Sequence, residues 1–304
     1  MGIFDRRQKT CKAVPFIFEQ ARLCRKSESY KQQIRRNAVR LKEFEELHGI
    51  VLMSDSLTYQ ICDELVEFFK SKDLLQNTIT SILRKVFSSF NRMDREGFVV
   101  CADYKNYSLK KEKVTTIFLT NDEVKTIYSL NLQKENSLVR DLFVVGCLTG
   151  MRYSDFSTLS AKNISGNVII KKTRKTGAHV EVPIHPIVSE ILKKYGDFPP
   201  YRDTQQNFNA VIKTICKKAG ITDKVFVERT RAGKVERISM PRYKMVSSHT
   251  ARRTFATNAY LAGIPTARIM LITGHSTEDA FFGYIRINKS ENAKTLSEHP
   301  FFLK

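Results

Sequence analysis

Nothing in the 304-residue sequence is apolar for long enough to cross a bilayer, which takes roughly 18 to 20 consecutive residues. The stretch from Met1 to Lys12 is polar and basic and carries no apolar segment of the secretory kind. Tryptophan is absent, which by itself decides nothing. The six cysteines (Cys11, Cys24, Cys62, Cys101, Cys147 and Cys216) form no C-x-x-C pair. A disulfide framework or zinc site is therefore not expected, and reduced thiols in a cytoplasmic protein are. There is no G-x-x-x-x-G-K-S/T loop to cradle a nucleotide. The histidines show neither H-x-x-x-H nor H-E-x-x-H spacing, and no acidic D-x-D-like cluster suggests a two-metal nuclease. No metal and no cofactor are expected. Internal repeats and low-complexity stretches are also missing.

What is present is positive charge. Lys plus Arg number 51 against 31 Asp plus Glu, a formal net charge of +20. Such an excess points to a polyanion, nucleic acid or an anionic membrane surface. Hydrophobic residues make up 42% and charged residues 27%, the balance of a globular chain rather than a disordered tail. The length suggests about two domains.

The chain opens with helical periods. Ile34, Ala38, Leu41 and Phe44 recur within Ser29–Leu47, Leu57, Ile61, Leu65 and Phe68 within Ser56–Phe69, and Ile82, Val86 and Phe90 within Thr78–Arg95. Arg35, Arg36 and Arg40 in the first and Arg84 and Lys85 in the third make this a small basic helical region. A linker over Tyr104–Thr116 carries Lys105, Lys110, Lys111 and Lys113 with little apolar content. It reads as solvated and flexible, or as lying along a phosphate backbone. Thr120 with Asn121, Asp122 and Glu123 marks a capped helix start, and helix continues to a break at Gly150. One β region follows: Asn167–Ile170 and Val180–Ile184 are strands, with a basic turn over Lys171–Gly177. Helices return at Val188–Lys194, Gln205–Ala219, Ser248–Leu261 and Pro265–Leu271, with a last one through Tyr284. The fold class is mainly α with a small antiparallel sheet.

Five polar clusters follow one another along this frame: Thr149-Gly150-Met151-Arg152-Tyr153-Ser154-Asp155, Lys175-Thr176-Gly177, His249-Thr250-Ala251-Arg252, Gly274-His275, and Tyr284. Each alone has an ordinary explanation, such as a core tyrosine, a surface ion pair, a solvated turn or an exposed basic helix face. The order and spacing together do not. The set resembles the catalytic domain of the tyrosine recombinases, the phage-integrase family, from about Leu119 to the C-terminus. Ser29–Gly97 more weakly resembles the helical core-binding domain that precedes it. The resemblance implies residues 1–112 as a helical core-type DNA-binding domain with a basic linker. Residues 113–304 would be a mixed α/β catalytic domain with a C-terminal tail.

The chemistry of the residues agrees. Breaking a phosphodiester needs a nucleophile, neutralised non-bridging oxygens and a proton for the leaving 5′-oxygen. Tyr284 is the candidate nucleophile; a phenol is neutral at pH 7 and needs activation by neighbours. Attached to the 3′-phosphate it would store the bond energy, so rejoining needs no ATP. Arg152 and Arg252 offer guanidinium forks that match phosphate oxygens and would stabilise the charge that builds on them. His249 and Arg252, at i and i+3, share a helix face behind Ser247 and Ser248, either of which can cap it. The resemblance makes Lys175 the general acid, with Lys172 and Arg174 close enough to compete for that role. It makes His275 a hydrogen-bond donor to the phosphate. Asp155 is placed to orient the Arg152 guanidinium. Arg35, Arg36, Arg40, Arg84, Lys85, Lys172 and Arg174 are the candidate DNA contacts.

The function implied is site-specific recombination on double-stranded DNA, with no membrane partner. Two domains would clamp the duplex, and a homo-tetramer on DNA would exchange strands through a Holliday junction, with an accessory DNA-bending protein as a further partner. Asn288–Lys304, with Leu296 and Phe301-Phe302-Leu303, would dock on a neighbouring subunit or pack on its own. The short stretch before Ser29 leaves little room for an arm-binding domain, which favours a two-domain resolvase, an invertase or a shortened integrase. Two alternatives stay open: a type IB topoisomerase-like enzyme, and a non-catalytic DNA-binding protein of the same fold.

Overall fold

The computed structural model describes residues 9–285, 297 and 300–303. They form two compact units, each with its own core. The first takes in the chain to Val114 together with 227–238, and the second takes in Thr115–Phe226 and the chain from Ser239 onward.

In the first unit, α1 (Ala13–Leu23) packs along α2 (Glu28–His48), followed by α3 (Tyr59–Ser71), α4 (Gln76–Arg95) and a short α5 (Asp103–Asn106). The apolar stripes read from the sequence are the ones that meet: Ala38, Leu41, Phe44, Leu57, Leu65 and Phe90 are completely buried. Thr58 caps α3 by accepting from the Ile61 amide at 3.3 Å, and Gly49, at φ 64°, ends α2 in the left-handed conformation. The α1 helix, with Val14, Ile17 and Ala21 inward, occupies a stretch to which the sequence reading gave no structure.

The linker, read as solvated and flexible or as lying along a phosphate backbone, is held down as far as Glu112. The Tyr104 hydroxyl donates to Asn91 Oδ1 at 2.9 Å and Tyr107 to Asp63 at 2.6 Å. Thr80 donates to the Lys110 carbonyl. Asn77 brackets Glu112, donating to its carbonyl and accepting from its amide, both at 3.0 Å. A run of lysines suggested solvation; the tyrosines and backbone groups between them decide otherwise.

In the second unit, α6 (Asn121–Ser129) begins with the expected capping box, Thr120 and Glu123 exchanging bonds. Helix α7 (Lys134–Thr149) is buried on nearly every side and ends at Gly150. After α8 (Tyr153–Phe156) comes an antiparallel sheet in the order β1 (Ile164–Ser165), β2 (Val168–Lys172), β3 (His179–Pro183), with Lys172 opposite His179. The turn is thus shorter than expected, because Lys171 and Lys172 belong to the strand. Helices α9 (Pro186–Tyr195) and α10 (Gln205–Lys218) precede a second sheet, β4 (Lys224–Arg231) and β5 (Lys234–Pro241), most of which (227–238) counts with the first unit. This sheet was not expected. Its alternation is carried by Lys, Glu and Arg as much as by apolar residues, so the period-two signal is weak.

The unit closes with α11 (Ser248–Leu261), α12 (Thr266–Thr273), α13 (Glu278–Phe282) and a short α14 (Pro300–Leu303). The last expected helix stops at Phe282, and Tyr284 sits in the turn behind it. Of the tail predicted to dock, Asn288–Leu296 lies outside the described residues. No helix among the described residues is long and apolar enough to cross a membrane.

Candidate active site

Arg252 is the centre of the site. It is 2% exposed, and among the described residues no carboxylate forms an ion pair with it. Its partners are the ends of two helices. Nη1 donates to the Gly150 carbonyl behind α7 at 2.9 Å, and Nη2 donates to the Thr273 carbonyl at the end of α12. Helix C-termini carry partial negative charge, which suits a cation. Both helices end on a left-handed glycine, Gly150 at φ 67° and Gly274 at φ 61°. At Gly150 a Cβ would also stand 2.4 Å from the Phe255 ring. The T-G and G-H elements of the sequence pattern are thus two helix stops that aim carbonyls at one guanidinium. Burial, and then the charge of Arg152, push Arg252 down to about 10, opposed by Tyr284 and Asp155.

His275 follows Gly274. Its Nδ1 lies 2.8 Å from the Thr273 hydroxyl, which donates to the Ile269 carbonyl at 2.8 Å. With that hydroxyl proton committed, Nδ1 carries the ring proton and Nε2 accepts from Arg252 Nη2 at 3.4 Å. Burial, then Arg252 and Arg152, hold the imidazole down to about 4, so it is neutral at pH 7. In this state Nε2 is an acceptor. The phosphate donor expected from the resemblance arises only when the ring gains a proton or changes tautomer.

Tyr284 is half-buried against this pair. Its ring centroid lies 4.7 Å from that of His275 and 5.6 Å from the Arg252 guanidinium carbon. Phe281, fully buried and 5.7 Å from the His275 ring, anchors the turn from below. His249 is the second residue of α11 and keeps an exposed edge. Surrounding protein lowers its pKa first, then the charges of Arg253, Arg252, Arg152 and Lys175. Four cations from three elements thus act on one imidazole. Arg152 directly precedes α8, with Nη1 buried and unpartnered. Lys175 is exposed in the β2–β3 turn.

Asp155 departs from expectation. It is fully buried, but its only bond to Arg152 among the described residues is its backbone amide donating to the Arg152 carbonyl at 2.8 Å, and no bond or ion pair joins its carboxylate to the guanidinium. Oδ1 instead accepts from the Arg174 backbone amide at 2.8 Å, and Oδ2 has no partner. Asp155 therefore fixes the turn that carries Lys175 rather than the guanidinium. A contact made through a backbone amide leaves no mark in the sequence.

The remaining candidates divide. Arg36, Arg40 and Lys85 line a polar groove of about 340 Å³ on the first unit, with Asn37, Asn77, Thr78 and Ser81. Lys85 also donates to Gln33. Arg35 turns away and pairs with Glu28 at 3.3 Å, and exposed Arg84 lies outside the groove. Lys172 and Arg174 are both exposed, Lys172 at the end of β2 and Arg174 in the turn. Thr273 was missed by sequence reasoning, although its place before Gly274-His275 is a signal that a helix ends there. Arg253 was missed as well.

The phage integrase family model matches residues 117–291, which covers every residue of this site. The chain belongs to the phage integrase family. Membership makes it a tyrosine recombinase, an enzyme of site-specific DNA recombination. The integrase also matches solved structures over nearly its whole length. Tn1549 transposon integrase, in complex with circular intermediate DNA, is 17% identical over 95% of this chain and 99% of that one, with a TM-score of 0.64. A lambda integrase dimer bound to a COC′ core site gives 14%, 90%, 94% and 0.66. XerH site-specific recombinase, in a pre-cleavage complex with its difH substrate, gives 15%, 94%, 95% and 0.62. At these identities the integrase shares their fold. No curated protein sequence matches it significantly.

Proposed function

We propose that this integrase recombines duplex DNA at defined sites, with Tyr284 as nucleophile. The observation that carries this reading is the seating of Tyr284 beside His275 and against Arg252, a buried cation that pairs with no carboxylate among the described residues. Such a site is short of one anion. A scissile phosphate supplies it: Arg152 and Arg252 hold the non-bridging oxygens as negative charge grows there. The Tyr284 oxygen attacks phosphorus, its proton passes to a neighbouring base, and the 5′-oxygen leaves with a proton from Lys175. His249, whose pKa is lowered by burial and then by the cations around it, is the base we assign to the tyrosine proton. The incoming 5′-hydroxyl of a partner strand reverses these steps. Neutralisation by fixed guanidiniums is the reason to expect activity without a divalent cation.

The helical unit serves as the core-type DNA-binding domain. Its groove mixes cations, which hold phosphates, with Asn77, Thr78 and Ser81, which can face base edges. The Tn1549, lambda and XerH structures are DNA complexes, and this chain would engage a duplex in the same manner. A homo-tetramer would form on paired sites, with a DNA-bending protein assisting. An apolar groove of about 360 Å³ on the catalytic unit, lined by Val124, Leu148, Ile187, Phe255 and Ile264, suits the C-terminal segment of a neighbouring copy, where Phe302 and Leu303 are exposed. The reaction belongs in the cytoplasm, where the six free thiols stay reduced.

Covalent capture tests the proposal. The protein is mixed in EDTA with nicked duplexes carrying randomised flanks, stopped with detergent, and the attached DNA is sequenced. Expected are adducts with a shared core sequence, absent from Tyr284→Phe. Adducts without sequence preference would favour a topoisomerase-like activity. Tight binding without adducts would favour a DNA-binding protein.

A further inference from the structure

Arg252 and Arg253 are consecutive on α11, and consecutive helical side chains leave the axis about 100° apart. Two such neighbours ordinarily serve different surroundings. Here both guanidinium carbons lie 5.6 Å from the centroid of one ring, that of Tyr284. Arg252 is fixed below by the Gly150 and Thr273 carbonyls, whereas Arg253 approaches from a second direction and is only half-buried. Tyr284 itself lies in a turn, where, among the described residues, its amide donates to the Phe281 carbonyl at 2.7 Å. Contacts made by the ring must therefore set its orientation.

We propose that Arg253 is a positioning residue for the nucleophile: its guanidinium lies over the Tyr284 ring and holds the phenol in the site before DNA is cut. The inference rests on Tyr284 being the nucleophile. A cation within about 6 Å of an aromatic face is attracted by the ring's negative quadrupole, and arginine does this with a planar group that stacks. Arg253 also acts on His249, where its charge ranks first among those lowering the imidazole pKa, ahead of Arg252, Arg152 and Lys175. One side chain thus orients the attacking group and helps lower the pKa of the imidazole assigned to receive its proton. Lysine would keep the charge but lose the flat stacking surface, and glutamine would keep much of the length but lose the charge.

Arg253→Gln and Arg253→Lys separate these contributions. Three quantities are compared with the wild type: adduct formation on nicked duplex across pH, binding of intact duplex, and amide exchange of residues 281–285 in the free protein. Arg253→Gln is expected to slow adduct formation about tenfold, to move the acid limb of the rate profile to higher pH, and to speed exchange at Tyr284. Duplex binding should stay within about twofold. Arg253→Lys should keep the wild-type acid limb and recover part of the rate. Loss of duplex binding with a shallower salt dependence would make Arg253 a phosphate contact and overturn the proposal. So would equal rates, pH limbs and exchange in all three proteins. The exchange measurement is independent of cutting. If wild type forms no adduct while Arg253→Gln still frees the turn, the nucleophile reading fails and the positioning contact stands.

Discussion

His275 shows how a single residue can make the whole chain sensitive to pH. Its pKa in the folded protein is about 4, against an ordinary 6.5 in the unfolded chain. Between these values the unfolded chain binds a proton that the folded one refuses. The stability tied to this residue is therefore complete above about pH 6.5, and it drains away as pH falls toward 4. We expect His275→Gln to flatten the fall in denaturation midpoint between pH 7 and 4. An unchanged fall would mean that other groups carry the acid sensitivity. A bound phosphate should counter the effect, because an anion beside Nε2 favours the protonated ring. The same residue marks how far the sequence could be read. The G-H pair identified His275 as a site residue. The proton on Nδ1 could not be read, since it is fixed by a threonine hydroxyl whose own proton goes to the Ile269 carbonyl.

Among the elements, the helix ends do the placing. Gly150 stops α7 so that its carbonyl meets Arg252. A Gly150→Ala change would force a side chain into a left-handed backbone and into the Phe255 ring, 2.4 Å away. We expect a loss of about 2–4 kcal/mol, measured by chemical denaturation, with adduct formation reduced as the carbonyl shifts. Gly166 is the control, since it too has a positive φ but no atom lies within 4 Å of an added Cβ; Gly166→Ala should cost about 1 kcal/mol. A similar loss at both positions would mean that the close approach to Phe255 is unimportant. Elements with an apolar stripe, α2 through α4, were legible because burial and period coincide. The β4–β5 sheet was not, because charged residues alternate along it. The linker was not, because Asn77 binds the backbone of Glu112 and not a side chain that could be matched to it.

Across the molecule, the +20 charge is a reservoir for releasing the cations condensed on DNA. Its parts are unequal. Arg36 faces the groove of the first unit, whereas Arg35 is occupied by Glu28. Each phosphate contact adds about 0.9 to the slope of log affinity against log salt. Arg36→Ala should lower that slope by about 0.9 between 50 and 200 mM salt, and Arg35→Ala by clearly less, both read by fluorescence anisotropy. Equal losses would remove the groove from the binding surface. Sequence reasoning ranked the two arginines together, since one position along a helix looks like the next until its partners are known.

The carbonyl cradle around Arg252 has a consequence for how the protein is handled. Neither Gly150 nor Thr273 brings a full negative charge, and the charges of Arg252 and Arg152 repel each other at the catalytic centre. Any small tetrahedral oxyanion that settles there acts as a ligand of the native state alone, and it protects by RT ln(1 + [L]/Kd). Phosphate or sulfate in the storage buffer should then preserve the protein better than chloride at equal ionic strength, through occupancy rather than screening. A preparation stripped of nucleic acid in simple salt would be at its most fragile, and shelf life becomes a crude titration of the catalytic site.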